Sequence, residues 1–213
     1  MITSHPSQEA LLDYAAGRLG AGPALVLETH LSLCAQCRDL VRDLEALGGA
    51  LLVSEQAVKL SPDAFARTLA MIDAAPVPKR QLAAKPRPSG HNWPAPLARH
   101  ATGRWRFLHP RLRWQRIVLP EDPKANVIML KVAAGQAVPQ HGHSGREFTQ
   151  VIAGGFSDAT GSYAPGDFIE ADAALEHQPV ADHDGDCIVL ASVEGSLRLG
   201  SWLGRLAQPL IGL

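Results

Sequence analysis

The sequence predicts an α+β multidomain protein, with a small four-helix domain followed by an all-β barrel. Three observations carry that reading. Apolar residues recur at helical spacing through the first 74 positions, and six prolines fall between 76 and 96. After residue 104 the apolar spacing drops to two, in short runs divided by Gly, Pro and Asp turns. The expected boundaries are 1–75 for the helical domain, 76–96 for a proline-rich linker and 97–213 for the barrel.

Ser7 is placed to cap a first helix reaching Arg18, with Leu11, Tyr14, Ala15 and Leu19 near helical spacing and Gly17 and Gly20 closing it. Gly22-Pro23 opens a second helix that leads to His30, since Pro suits the first helical position. A third runs from about Cys34 to Val53 and aligns Leu40, Leu44, Leu47 and Leu51. Ser61-Pro62-Asp63 announces a fourth, with Phe65, Leu69 and Ile72 on one face. Pro76, Pro78, Pro86, Pro88, Pro94 and Pro96 then predict an extended, semi-rigid segment. In the barrel, Trp105, Phe107, Leu112 and Trp114 alternate with Arg104, Arg106, Arg111 and Arg113, which predicts half-buried strands whose arginines face solvent or an acidic neighbour. Further strands are expected at 126–132, 148–152, 168–170, 187–193 and 197–202.

An apolar content of 46% with 19% charged residues is that of an ordinary globular protein. No apolar run approaches a membrane span, and the N-terminus lacks a basic segment followed by an apolar one, so a cytoplasmic location is expected. Three cysteines do not make a disulfide framework, and Cys187, within Cys187-Ile188-Val189-Leu190, reads as a small core residue. Residues 74–120 carry ten basic and no acidic groups, against nine acidic in 1–73 and twelve in 121–213. That basic middle is rich in Pro and has no helix-turn-helix or aromatic platform. Its expected counter-charges are its own flanks, not nucleic acid.

His30-Leu-Ser-Leu-Cys34-Ala-Gln-Cys37 sets a His and two Cys at offsets 0, 4 and 7. On a helix these fall within roughly 60° of arc, so one face offers three ligands suited to tetrahedral zinc. His5, ahead of the first helix, is the candidate for the fourth corner. A CxxC pair can also be a redox pair or two buried thiols, but no strand precedes this one and no βαβ pattern surrounds it. A domain of this size rarely holds together on its core alone, and structural zinc is a common remedy.

A second constellation lies among the strands. His141 and His143, at i and i+2, share a strand face, and Glu147 returns to it after a short turn. His177 follows a further turn and strand and can approach from a neighbouring strand of a closed barrel. Three imidazoles and a carboxylate aimed at one point would be costly without a cation. The spacing does not choose among Zn, Fe, Mn, Ni and Cu, and a divalent metal with zinc first is expected.

The stretch Gly135-x5-His141-x-His143-x3-Glu147-x6-Gly154 resembles the first cupin motif at each fixed position, and Pro165-Gly166-Asp167 leading to His177 is similar to the second, without the Asn that often follows its His. His5 with His30-x3-Cys34-x2-Cys37 resembles the zinc-binding anti-sigma domain. The order anti-sigma domain, linker, cupin is that of the ChrR-type anti-sigma factors, across nearly the whole chain. The resemblance implies a regulator that binds and inhibits an extracytoplasmic-function type sigma factor as a 1:1 heterodimer, touches neither nucleic acid nor membrane directly, and uses its cupin to respond to singlet oxygen or related oxidative stress. The rival expectation is a metal-dependent cupin enzyme, a dioxygenase or isomerase with a helical dimerisation domain. No clear acid, base or nucleophile pair stands in the cupin half, which favours the regulator, with no catalytic residue assigned. His91, His100, His109 and His183 match neither motif and read as linker or surface residues.

Overall fold

The computed structural model describes residues 1–76 and 93–200. Most of the proline-rich segment, with His91, and the end of the last expected strand, with Trp202, lie outside the described residues.

Among the described residues, five helices precede the strands: α1 (Gln8–Ala15), α2 (Ala21–Leu33), α3 (Ala35–Ser54), α4 (Ala64–Ala74) and α5 (Ala95–Ala98). Ser7 caps α1 by accepting from the Ala10 N–H at 3.1 Å. The chain then forms β1 (Ala101–Thr102), β2 (Arg106–His109), β3 (Leu112–Val118), β4 (Val127–Val132), β5 (His141–His143), β6 (Glu147–Ala153), β7 (Phe156–Asp158), β8 (Gly161–Tyr163), β9 (Phe168–Ala171), β10 (Glu176–His177), β11 (Val180–Ala181), β12 (Cys187–Val193) and β13 (Leu197–Leu199). The large sheet runs β1-β3-β4-β12-β6-β9, with β2 paired to β3; β10-β5-β13 and β11-β7-β8 form two small sheets. All the pairings are antiparallel.

The centre of the large sheet is buried on both faces, most fully at β12, which accounts for its continuous apolar run. On β12, Cys187, Val189, Ala191 and Val193 face a cavity inside the barrel, while Ile188 and Leu190 join the core formed with the helices. That core holds Ala10, Leu11, Leu25, Val26, Leu27, Val41 and Leu97 together with Val127, Met129, Phe148, Phe168 and Leu190. The hydrophobic core therefore runs across the boundary expected near residue 75. α2 is the hinge of this arrangement. Eight of its thirteen residues are buried, as its AGPALVLETHLSL sequence requires of a helix with apolar residues all round. Gly22 permits the contact, because a Cβ there would lie 2.5 Å from Ser192 Oγ and 3.0 Å from a Val127 methyl.

Three expectations need correction. α4 does not join a four-helix cluster around a metal: none of its residues is buried. Its apolar side chains, Phe65, Met71 and Ile72 among them, are largely exposed. Pro94 and Pro96 are not extended linker. They start α5, where Pro fits the first turn, and Leu97 is driven fully inside against α2. Phe107 does not point inward with Trp114; it is 64% exposed, because β2 is an edge strand, and the Arg113 guanidinium covers its ring at 4.6 Å.

Candidate metal centres

His30 sits in the last turn of α2, Cys34 at the junction with α3, and Cys37 in the first turn of α3. The three do not lie on one continuous helix, because Cys34 is extended (φ −107°, ψ 109°) and breaks it. The break turns both thiols and the imidazole toward one point. His5 arrives there on a strap that runs beside β9: Phe168 N–H donates to the Ser4 carbonyl at 3.0 Å, and the Ser4 hydroxyl donates to the Phe168 carbonyl at 2.7 Å. Asp167 accepts from Thr3 N–H at 2.6 Å, Ser4 N–H at 2.8 Å and Ala164 N–H at 2.8 Å. Burial opposes its charge most strongly, but those donors together hold its carboxyl below the ordinary range.

The ligand atoms of His5, His30, Cys34 and Cys37 all lie within 4.8 Å of one another. His5 Nδ1 is 3.5 Å from Cys34 Sγ and 3.4 Å from Cys37 Sγ. A tetrahedral zinc with ordinary bond lengths would set sulfur and nitrogen roughly 3.6 Å apart. His30 Nδ1 faces two acceptors, Gln150 Oε1 at 3.0 Å and the Gly166 carbonyl at 3.1 Å, so it carries the proton. Its Nε2 is then a bare lone pair, buried with no hydrogen-bond partner among the described residues. Burial, then the neighbouring Cys34, pushes the Cys37 thiol up to about 12, so a thiolate here needs a cation beside it. This donor set fits zinc.

The second group is drawn from three strands, with two residues on β5, one at the start of β6 and one on β10. His141 and His143 are on β5, Glu147 begins β6, and β10 pairs with β5 so that His177 stands opposite His141. Their ligand atoms also lie within 4.8 Å of one another. His143 Nε2 is 3.0 Å from Glu147 Oε2, and the Nε2 atoms of His141 and His177 are 3.1 Å apart. Both of those rings spend their Nδ1 protons elsewhere: His141 donates to the Pro139 carbonyl and His177 to Asp158 Oδ2, each at 2.8 Å. Two lone pairs thus face each other across 3.1 Å, an arrangement that repels unless a cation sits between them. Burial lowers the His141 pKa, against the pull of the Glu147 carboxylate. Burial disfavours the Glu147 charge, yet the His143 contact and the surrounding imidazoles hold its carboxyl below the ordinary range. His141, Glu147 and His177 open onto a cavity of about 690 Å³ whose walls are mostly apolar, including Leu130, Val132 and Ile169.

The structure thus brings each of the eight sequence candidates into one of two groups that could hold a metal ion. Sequence reasoning missed their supports: Gln150, the Gly166 carbonyl, Asp158 and Asp167. Gln150 carried a signal, being one amide inside the apolar run 148–152, where a buried polar group requires a partner. Asp158 and Asp167 were hidden in turns, where Asp is expected for local reasons. His109 and His183 are exposed and His100 is half-buried, in keeping with surface positions, and Cys187 is a buried free thiol.

Residues 96–195 match the family described as the ChrR Cupin-like domain. The chain is 41% identical, over 98% of its length and 97% of the relative's, to the anti-sigma-E factor ChrR of Cereibacter sphaeroides. Among solved structures it is similar to Rhodobacter sphaeroides SigE in complex with the anti-sigma ChrR, with TM-score 0.68, 37% identity, and coverage of 91% of this chain and all of that one.

Proposed function

The chain belongs to the ChrR family of anti-sigma factors, and from that premise we propose that it binds and inhibits an extracytoplasmic-function type sigma factor in a 1:1 complex. One observation carries this reading. In a protein whose central strands are buried on both faces, the second half of α3 and all of α4 present apolar side chains to solvent: Leu47 is 56% exposed, Phe65 75% and Ile72 63%. Exposed apolar helix faces of this kind suit a partner that buries them. The relative's name and the SigE–ChrR complex support a sigma factor as that partner.

His5, His30, Cys34 and Cys37 would hold zinc in the first centre, and His141, His143, Glu147 and His177 a divalent metal, zinc preferred, in the second. Zinc, when bound, supplies a crosslink between the strap, α2 and α3. The domains are the helical part at 1–75 and the cupin at 97–213, the latter being the part required for response to singlet oxygen or related oxidative stress. Among the described residues no helix is long and apolar enough to cross a membrane, which is compatible with a cytoplasmic regulator.

The test is co-expression of the tagged full chain with each extracytoplasmic-function sigma factor of its own organism. One should co-purify at 1:1, and the pair Phe65→Asp with Ile72→Asp should weaken capture by about 100-fold or more while leaving the metal content intact. Failure to capture any of them, or undiminished capture by the variant, refutes the reading.

The cavity against the second centre favours a second reading, a metal-dependent dioxygenase or isomerase. Beyond the metal ligands, the titratable side chains among its described lining are His109 and Cys187. Burial pushes the Cys187 thiol up to about 12, which makes it a poor base or nucleophile. Regulation is therefore the better supported function.

A further inference from the structure

The two metal groups stand on opposite sides of the same pair of strands. Along β6, Glu147 and Thr149 face the cavity, whereas Phe148 packs into the core shared with the helices and Gln150 reaches His30. β9 alternates in the same way, with Ile169 and Ala171 toward the cavity and Phe168 and Glu170 toward the strap. Glu147 and Gln150, three residues apart, thus serve different centres from opposite faces of one strand.

Gln150 is fully buried. Its amide N–H donates to the Val151 carbonyl at 2.9 Å, which fixes the direction of its oxygen toward His30 Nδ1. That oxygen and the Gly166 carbonyl, which ends the turn leading into β9, keep the His30 proton on Nδ1 and turn Nε2 to the thiols. Any rotation of the β6 pleat that follows loss of the hold on Glu147 must also move Gln150, because the backbone between them is a single strand paired on both sides, to β12 and β9.

Resting on the reading that both groups bind metal, we propose that Gln150 is a positioning residue that ties metal retention at the first centre to occupancy of the second. The barrel then governs the helical part by way of one amide. Loss of the barrel metal loosens β6, tilts His30 and weakens the grip on the ion that holds the strap, α2 and α3 together.

Cobalt(II) tests this in the full chain, because thiolate-to-cobalt charge-transfer absorption arises from the first centre alone; the second has no sulfur. The decay of that band on addition of a chelator gives the retention of the first ion. Gln150→Leu, which keeps the shape and removes the acceptor, should speed the decay about 10- to 100-fold. Gln150→Glu, which keeps an acceptor for His30 Nδ1 but loses the donor to Val151, should decay more slowly than Gln150→Leu. Emptying the barrel with His141→Ala and His143→Ala should speed the decay when Gln150 is present and add nothing in the Gln150→Leu background. A parental decay rate for Gln150→Leu, a decay of Gln150→Glu as fast as that of Gln150→Leu, or additive effects of the barrel and Gln150 changes would each overturn the proposal. Absence of any thiolate band in the parent protein would instead overturn the assignment of the first centre itself. Should Gln150→Leu not fold, Gln150→Met, which also removes the acceptor, takes its place with the same outcomes.

Discussion

Replacing Asp167 by Ala should loosen the first metal centre without touching any of its four candidate ligands. The carboxylate accepts from Thr3 N–H and Ser4 N–H, the two residues ahead of His5, and from Ala164 N–H in the turn that delivers the Gly166 carbonyl. Thr3 Oγ1 lies 3.3 Å from each carboxylate oxygen and adds little. Hydrogen bonds to a charged acceptor contribute about 1.5–3 kcal/mol each, and freed strap donors recover part of this from water. The two strap bonds together are therefore worth about 3 kcal/mol. If the strap must be re-seated each time the ion binds, that energy sets a ceiling of about 100-fold on the loss of affinity. Asp167→Asn retains one oxygen for both strap donors but no charge, so its loss should stay below about 10-fold. The sign of the pH dependence follows from the depressed carboxyl pKa: the contribution is complete above the ordinary carboxylate value and fades only as pH falls through the lower folded value, so near neutrality the effect should not vary with pH. Competition with a chromophoric chelator in the full chain measures it. Unchanged affinity in Asp167→Ala, with the protein folded, would refute the idea that the barrel clasps the strap.

Cys34→Ala should remove a full equivalent of zinc and abolish sigma-factor capture, since a three-ligand remnant no longer links strap, α2 and α3; elemental analysis alongside pull-down checks it, and a retained equivalent counts against the ligand set. The double change His141→Ala with His143→Ala should cost one equivalent of metal and, with no chelator present, leave the thiolate centre loaded though quicker to release its ion, as read by the same metal analysis. Gly22→Val should pry α2 from β12 and β4, because the new side chain meets Ser192 and Val127 at sub-contact distances. Overpacking of this kind costs about 1–3 kcal/mol, or a fall in Tm of roughly 3–10 °C; an unchanged melting curve would show that α2 can ride outward freely.

Much of the architecture was legible in the residues. The cupin spacing from Gly135 to Gly154 needs a strand, a turn and a strand, and β5 and β6 supply them at the expected places. The expected run 187–193 coincides with β12. α4 was legible as a helix but not as an unpartnered one, since Phe65, Leu69 and Ile72 at helical spacing look the same whether they face a core or a partner. Phe107 misled for a related reason: alternation shows which residues share a face, not whether that face is covered.

The sequence by itself determined the local chemistry: which segments coil or extend, and which side chains can bind a soft or a borderline metal ion. Those are matters of nearest-neighbour spacing, and a few residues are enough to state them. Only the tertiary structure decided that the helical part and the barrel share one core, that a strap clasped by Asp167 presents His5, and that Gln150 links His30 to the strand bearing Glu147. These contacts join residues 120 to 164 positions apart. Burial at such separations depends on which apolar faces find each other first, and an amide in an apolar run does not reveal whether its partner will be water, backbone or an imidazole from the far end of the chain.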